Sequence, residues 1–175
     1  AKLANKKIFV LCEYKKNQNV FCDVSFELLS AANSLSKQAK EEFDIDYEVY
    51  AIVLDSGIDA DFCQLSKYGA QKIIYLKNEN FSHYDCCYYS SALVELFREQ
   101  KPDIVLFGAT NIGRELAPLV TSKLQTGLTA DCTALSLVEN KGEIKLAATR
   151  PTFGGVLMAT ILCKNSPQCA TVREG

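Results

Sequence analysis

Few residues in this chain have the types and spacing that chemistry needs. The 175 residues include one histidine, His83, eight cysteines and 21 acidic side chains. His83 lies between Ser82 and Tyr84, just ahead of a predicted helix. A general base needs an orienting partner and a nucleophile in reach, and no Gly-x-Ser-x-Gly elbow supplies one. His83 is therefore read as a surface or capping residue. The cysteines lack metal spacing: Cys86 and Cys87 are adjacent and no Cys-x-x-Cys pair occurs. Cys12 and Cys163 sit in apolar runs, where cysteine packs as a small hydrophobe. With no secretion signal ahead of them, free thiols in a reducing cytoplasm are expected. The acidic residues are spread over helix faces and turns, without the pairing of a glycosidase or a metal cage. The chain is read as carrying no catalytic or metal site.

Two clusters remain. Gly108-Ala109-Thr110-Asn111-Ile112-Gly113-Arg114 follows a predicted strand and opens a helical stretch. Glycines there let backbone N–H groups face an anion at a helix start, Thr110 or Asn111 could cap the helix, and Arg114 adds positive charge. The Lys-Ser/Thr of a phosphate-binding loop does not follow, so a tight strand-to-helix turn is the other reading, and spacing alone favours it. The second cluster is Arg150-Pro151-Thr152-Phe153-Gly154-Gly155, where proline and paired glycines predict a sharp reversal. Arg150, Phe153, Gly154 and Gly155 are structural or interface candidates, with Arg150 able to reach a partner carboxylate. A dinucleotide fingerprint is missing, since Glu13 to Phe21 contains no glycine.

The elements that must position these clusters follow from hydrophobic periodicity. Ile8 to Cys12, Tyr47 to Leu54, Ile73 to Leu76 and Ile104 to Phe107 are short apolar runs of the kind found in buried parallel strands. Between them, Asp23 is a candidate N-cap for a helix whose stripe is Val24, Leu28, Ala31, Leu35 and Ala39. Asp59 to Tyr68 and Tyr84 to Gln100 read as further helices, and Pro118 as a kink or a first turn. The pattern predicts an α/β fold of three layers, a mostly parallel sheet with helices on both faces. Over residues 126–175 it changes to four strands without helices: Cys132 to Val138, Glu143 to Ala148, Val156 to Cys163 and Gln168 to Arg173. An antiparallel extension of the same single domain, residues 1–175, is expected there, with a hairpin turn at Asn140-Lys141-Gly142.

Composition bounds the partners. Apolar residues are 48% and charged residues 23%, as in ordinary globular proteins. A net charge of −2 gives no footprint for nucleic acid. No run of about 18 apolar residues is present, so no membrane span is predicted. Ala1 to Lys7 lacks the apolar stretch of a signal peptide. Thr171 to Gly175 carries no polar tail and reads as an interrupted chain.

Four blocks in order carry a resemblance. Pro102 to Thr110, continued by Gly113-Arg114-Glu115-Leu116-Ala117-Pro118, is similar to the central motif of electron transfer flavoprotein alpha subunits. Thr126 to Thr133, Arg150 to Gly155 and Ala170 to Arg173 resemble later blocks. The chain departs from the family pattern at Leu119 to Ser122 and at Val156. The resemblance implies the amino-terminal domain of such a subunit, with an adenine-nucleotide alpha-hydrolase-like fold. It implies FAD held by a carboxy-terminal domain outside this chain and none on residues 1–175, with the Gly108–Arg114 loop a degenerate nucleotide loop. The implied partners are the electron transfer flavoprotein beta subunit and, through the whole complex, an acyl-CoA or related dehydrogenase. The resemblance implies an electron carrier rather than an enzyme, in a bacterial cytoplasm rather than a mitochondrial matrix. The alternative is a free-standing adenine-nucleotide-binding module of the same fold.

Overall fold

The computed structural model describes residues 5–155 and 157–175; the side chain of Phe153 is outside the description. Val156, expected to open a strand, lies outside the described residues as well. The chain runs β1 (Lys6–Leu11), a short hairpin of β2 (Tyr14–Lys15) and β3 (Val20–Phe21), α1 (Asp23–Phe43), β4 (Tyr47–Asp55), α2 (Cys63–Lys67) and β5 (Lys72–Lys77). It continues with α3 (Cys86–Gln100), β6 (Ile104–Gly108), α4 (Asn111–Lys123) and β7 (Leu128–Cys132). It closes with β8 (Ala134–Asn140), β9 (Glu143–Thr152), β10 (Leu157–Leu162) and β11 (Gln168–Val172).

Six strands form the main sheet in the order β5-β4-β1-β6-β11-β7, and every pairing in it is parallel. A parallel strand buried on both faces needs a continuous apolar run, and β1 shows why. Ile8 and Val10 join the core on the α1 side, while Phe9 and Leu11 join the core on the α3–α4 side. Helix α1 presents Val24, Leu28, Leu29, Ala32, Leu35 and Ala39 to the first core. Leu93, Leu96 and Phe97 of α3 and Leu116, Ala117 and Val120 of α4 fill the second. The three-layer α/β architecture expected from periodicity is the one found. Among the described residues, no helix is long and apolar enough to cross a membrane.

Local details differ from the sequence reading. Helix α1 begins at Asp23 with Cys22 at the N-cap position, and no side chain caps it. Ala32 rather than Ala31 is fully buried, because the stripe on a 21-residue helix is wider than one heptad row. Asp85 caps α3 by accepting from the N–H groups of Cys87 and Tyr88, which leaves no capping role for His83. Pro118 lies inside α4.

The larger difference is in residues 126–175, which divide between two sheets. β8, β9 and β10 form the expected antiparallel sheet, with Lys141 and Gly142 at positive φ in a two-residue turn. β11 does not extend it. Gln168–Val172 returns to the main sheet, parallel to β6 on one side and β7 on the other. Parallel neighbours need a covering crossover, and here the antiparallel sheet takes the place of a helix between β7 and β11. Leu137, Leu146 and Ala148 pack into the same core as α1. The Gln168 side chain fixes the junction, its Oε1 accepting from the Leu146 N–H at 2.7 Å.

Candidate functional site

The strand order reverses between β1 and β6. From β1 the chain goes through α1 to β4, and from β6 through α4 to β7, so the two loops diverge from neighbouring strand ends. In open α/β sheets this divergence makes the crevice where ligands bind. The Gly108–Arg114 cluster and Glu13 both lie there.

Both glycines of the cluster are fixed by packing. A Cβ on Gly113 would stand 1.7 Å from the Gly108 carbonyl oxygen, so the first turn of α4 touches the end of β6. A Cβ on Gly108 would meet Val24 Cγ2 at 2.7 Å and Glu13 Oε2 at 3.2 Å. Thr110 is the N-cap, its Oγ1 accepting from the Gly113 N–H at 3.0 Å. The same hydroxyl donates to the Glu13 carboxylate, whose oxygens lie at 2.9 and 3.1 Å. Asn111 is exposed at the first helical position. Arg114 turns away from the loop and pairs with Asp131, Nε to Oδ1 at 3.3 Å.

Glu13 is the residue that sequence reasoning missed. It ends an apolar run with a single acid, and no spacing pattern distinguishes it. Burial raises its pKa above the ordinary glutamate value, the Thr110 hydrogen bond pulls the other way, and Glu174 raises it further. A phosphate entering this crevice would meet a carboxylate rather than a cation. In this form the crevice does not fit the pyrophosphate of a flavin or dinucleotide.

Beside it, a cavity of about 190 Å³ is lined by Leu11, Glu13, Asp55, Tyr84 and Tyr89, with His83 exposed on its rim. Two of its polar side chains are answered from within the chain. Tyr84 Oη donates to Glu115 at 2.7 Å, and Asp55 accepts from the Ser56 N–H at 2.6 Å and faces Lys16 at 3.5 Å. Burial pushes the Tyr89 phenol up to about 12, with Asp55 adding to the effect.

The second cluster lies elsewhere, where β9 turns into β10. Gly154 and Gly155 hold φ of 66° and 88°, left-handed values that make the expected reversal. Arg150 is half-buried and its Nε has no hydrogen-bond partner among the described residues. It acts on Cys132 at the end of β7. Burial pushes that thiol up to about 11, Cys163 adds to the rise, and the Arg150 charge opposes it. All eight cysteines are free. The structure thus brings the Gly108 cluster to Glu13 and sets Arg150 beside Cys132.

Residues 9–175 match the electron transfer flavoprotein domain. The chain belongs to the electron transfer flavoprotein family. It is 38% identical to the electron transfer flavoprotein subunit alpha of Clostridium acetobutylicum, over 97% of this chain and 48% of that protein. It is 40% identical to the alpha subunit of Megasphaera elsdenii, over 96% of this chain and 47% of that protein. It is also 34% identical to the acryloyl-CoA reductase electron transfer subunit beta of Anaerotignum propionicum, over 97% of this chain and 50% of that protein. The chain spans about half the length of these relatives and corresponds to the amino-terminal domain of the alpha-type subunits. The family to which it belongs is one of electron carriers.

Proposed function

We propose that this chain is the scaffold and subunit-interaction domain of a heterodimeric electron transfer flavoprotein in a bacterial cytoplasm. It forms a rigid base with a beta subunit, while FAD is held by another domain of the full-length alpha subunit and none by residues 1–175. The whole complex moves electrons between acyl-CoA-type dehydrogenases and a redox partner. The name of the Anaerotignum propionicum relative ties that protein to an acryloyl-CoA reductase, which supports this substrate class.

The observation that carries the reading is Glu13 on Thr110. The crevice where this fold ordinarily holds a ligand has its helix start answered by the chain's own carboxylate. A domain so arranged supports a cofactor placed elsewhere.

Co-expression with a beta subunit tests it. The expected result is an equimolar complex by size exclusion with light scattering, and no flavin absorbance from this chain alone. Calorimetric titration with FAD, AMP and ATP should show no heat of binding. Stoichiometric FAD binding would overturn the division of labour, and micromolar AMP or ATP binding would make a free-standing nucleotide module the better reading.

A further inference from the structure

Cys86 and Cys87 are adjacent in the sequence and open α3. Cys12, Cys132 and Cys169 are buried, whereas Cys86 is half-buried and Cys87 exposed. Of the other accessible cysteines, Cys22, Cys63 and Cys163, no two are neighbours in the sequence. The backbone that carries the pair is held from both sides. Asp85 Oδ1 accepts from the Cys87 N–H at 2.9 Å and from the Tyr88 N–H at 3.1 Å, which fixes the first turn. Just ahead of it, the Tyr84 phenol donates to Glu115 of α4 at 2.7 Å. In this frame the two thiols lie within hydrogen-bonding reach of each other.

Two physical limits act against a direct S–S bond between them. Consecutive Cα atoms stand about 3.8 Å apart, below the roughly 4.4 Å at the short end of ordinary disulfides. Closing the bond would strain a turn that Asp85 holds helical. The Cys86 thiol is also kept protonated: partial burial raises its pKa, the Cys87 thiol raises it further, and Glu115 and Asp85 add to the rise. Disulfide exchange starts from a thiolate. An atom that bridges the two sulfurs meets neither limit. It must be soft, so that it prefers sulfur, and it must bring oxygen ligands that carry the thiol protons away.

We propose that Cys86 and Cys87 form a two-thiol binding site for trivalent arsenic in its hydroxide form, arsenite. The two sulfurs displace two of its three hydroxyls. Two As–O and two S–H bonds break, two As–S and two O–H bonds form, and two molecules of water leave. Arsenic stays trivalent and no electrons are transferred. Because both thiols react in their protonated form, the surrounding acids do not oppose the step. The second sulfur binds within the same turn as the first, so its effective concentration is high and the pair holds arsenic far more tightly than either thiol alone.

Titration of the chain with sodium arsenite in a phosphine-reduced buffer, read by intact-mass spectrometry, tests the site. The expected product carries one arsenic per chain and is reversed by a dithiol chelator. Cys86→Ser and Cys87→Ser each leave a single sulfur and should weaken binding by about 100-fold or more, while Cys63→Ser should bind as wild type does. Alkylation mapping of the wild-type protein needs no variant: arsenite should protect Cys86 and Cys87 together. Wild-type affinity in either of the two serine variants would overturn the proposal, as would protection of other cysteines in their place. No binding at millimolar arsenite would overturn it as well. Rapid closure of a Cys86–Cys87 disulfide by oxidised glutathione would show that the turn admits a direct bond, and would overturn the preference for a bridging atom.

Discussion

The crevice at the ends of β1 and β6 and the overhang of β9 and β10 treat their polar groups in opposite ways. In the crevice Thr110 is answered by Glu13 and Gly113, Arg114 by Asp131 and Tyr84 by Glu115. In the overhang Arg150 Nε is unanswered among the described residues, and three large apolar side chains face outward. A region whose hydrogen bonds close on themselves contributes stability and shape. Topology alone would point to the crevice as the functional place, and the local accounting of partners points to the sheet.

If the crevice is structural, substitutions there should register in stability. The largest effect is expected from Gly113→Ala. Alanine favours helix by about 1 kcal/mol over glycine, but its Cβ would stand 1.7 Å from the Gly108 carbonyl oxygen. The backbone must shift, so a net loss of about 3 kcal/mol or more is expected in urea unfolding. Thr110→Val comes next. It removes the N-cap bond to Gly113 and the donor to the Glu13 carboxylate. A lost cap costs about 1 kcal/mol, and a half-buried carboxylate without its donor brings the expected loss to about 2 kcal/mol. Wild-type stability in either variant would break the contrast from the crevice side.

Much of this arrangement was legible in the sequence, for physical reasons. Strands buried on both faces must be apolar throughout, which marked β1, β4 and β6, and an amphipathic stripe marked α1 and α3. β11 was visible as a strand but not as a member of the main sheet. Its run Cys169-Ala170-Thr171-Val172 says that both faces are buried, and nothing in it names the neighbours. β7 escaped because Thr129, Ala130 and Asp131 interrupt any apolar run on an edge strand. Thr110 and Gly113 were legible because a helix start needs a cap and a close turn. Their partner Glu13 is 97 residues from Thr110, a contact that only the strand order creates. The reversal at Arg150–Gly155 was equally clear, while its position beyond the end of β8 depends on register.

Glu13 offers a test through pH. Its folded-state pKa is raised, by burial first and by Glu174. A raised folded pKa means the stability contribution is fully present below the unfolded glutamate value, near 4.3, and is lost as pH rises through the folded value. Glu13→Gln removes that titration and keeps an oxygen for Thr110. The variant should therefore gain stability relative to wild type as pH rises from about 4 toward 7, with the difference shrinking again in acid. Thermal melts of both proteins across that range check the sign. A difference independent of pH would mean that Glu13 is not held as a disfavoured carboxylate, and the crevice would be open to other anions.

The smallest expected effect is at Leu157, and it separates the two regions most cleanly. Leu157 is more than half exposed and, among the described residues, paired across to Thr152. Replacing an exposed side chain away from caps and cores changes stability by no more than about 0.5 kcal/mol. Leu157→Lys should thus melt with wild type. A lysine there also protects an open strand edge from pairing with other copies, so solubility should hold or improve. A drop of 2 kcal/mol or more in the isolated chain would mean that Leu157 already belongs to the core. The overhang would then be a closed region like the crevice, and the contrast between them would fail.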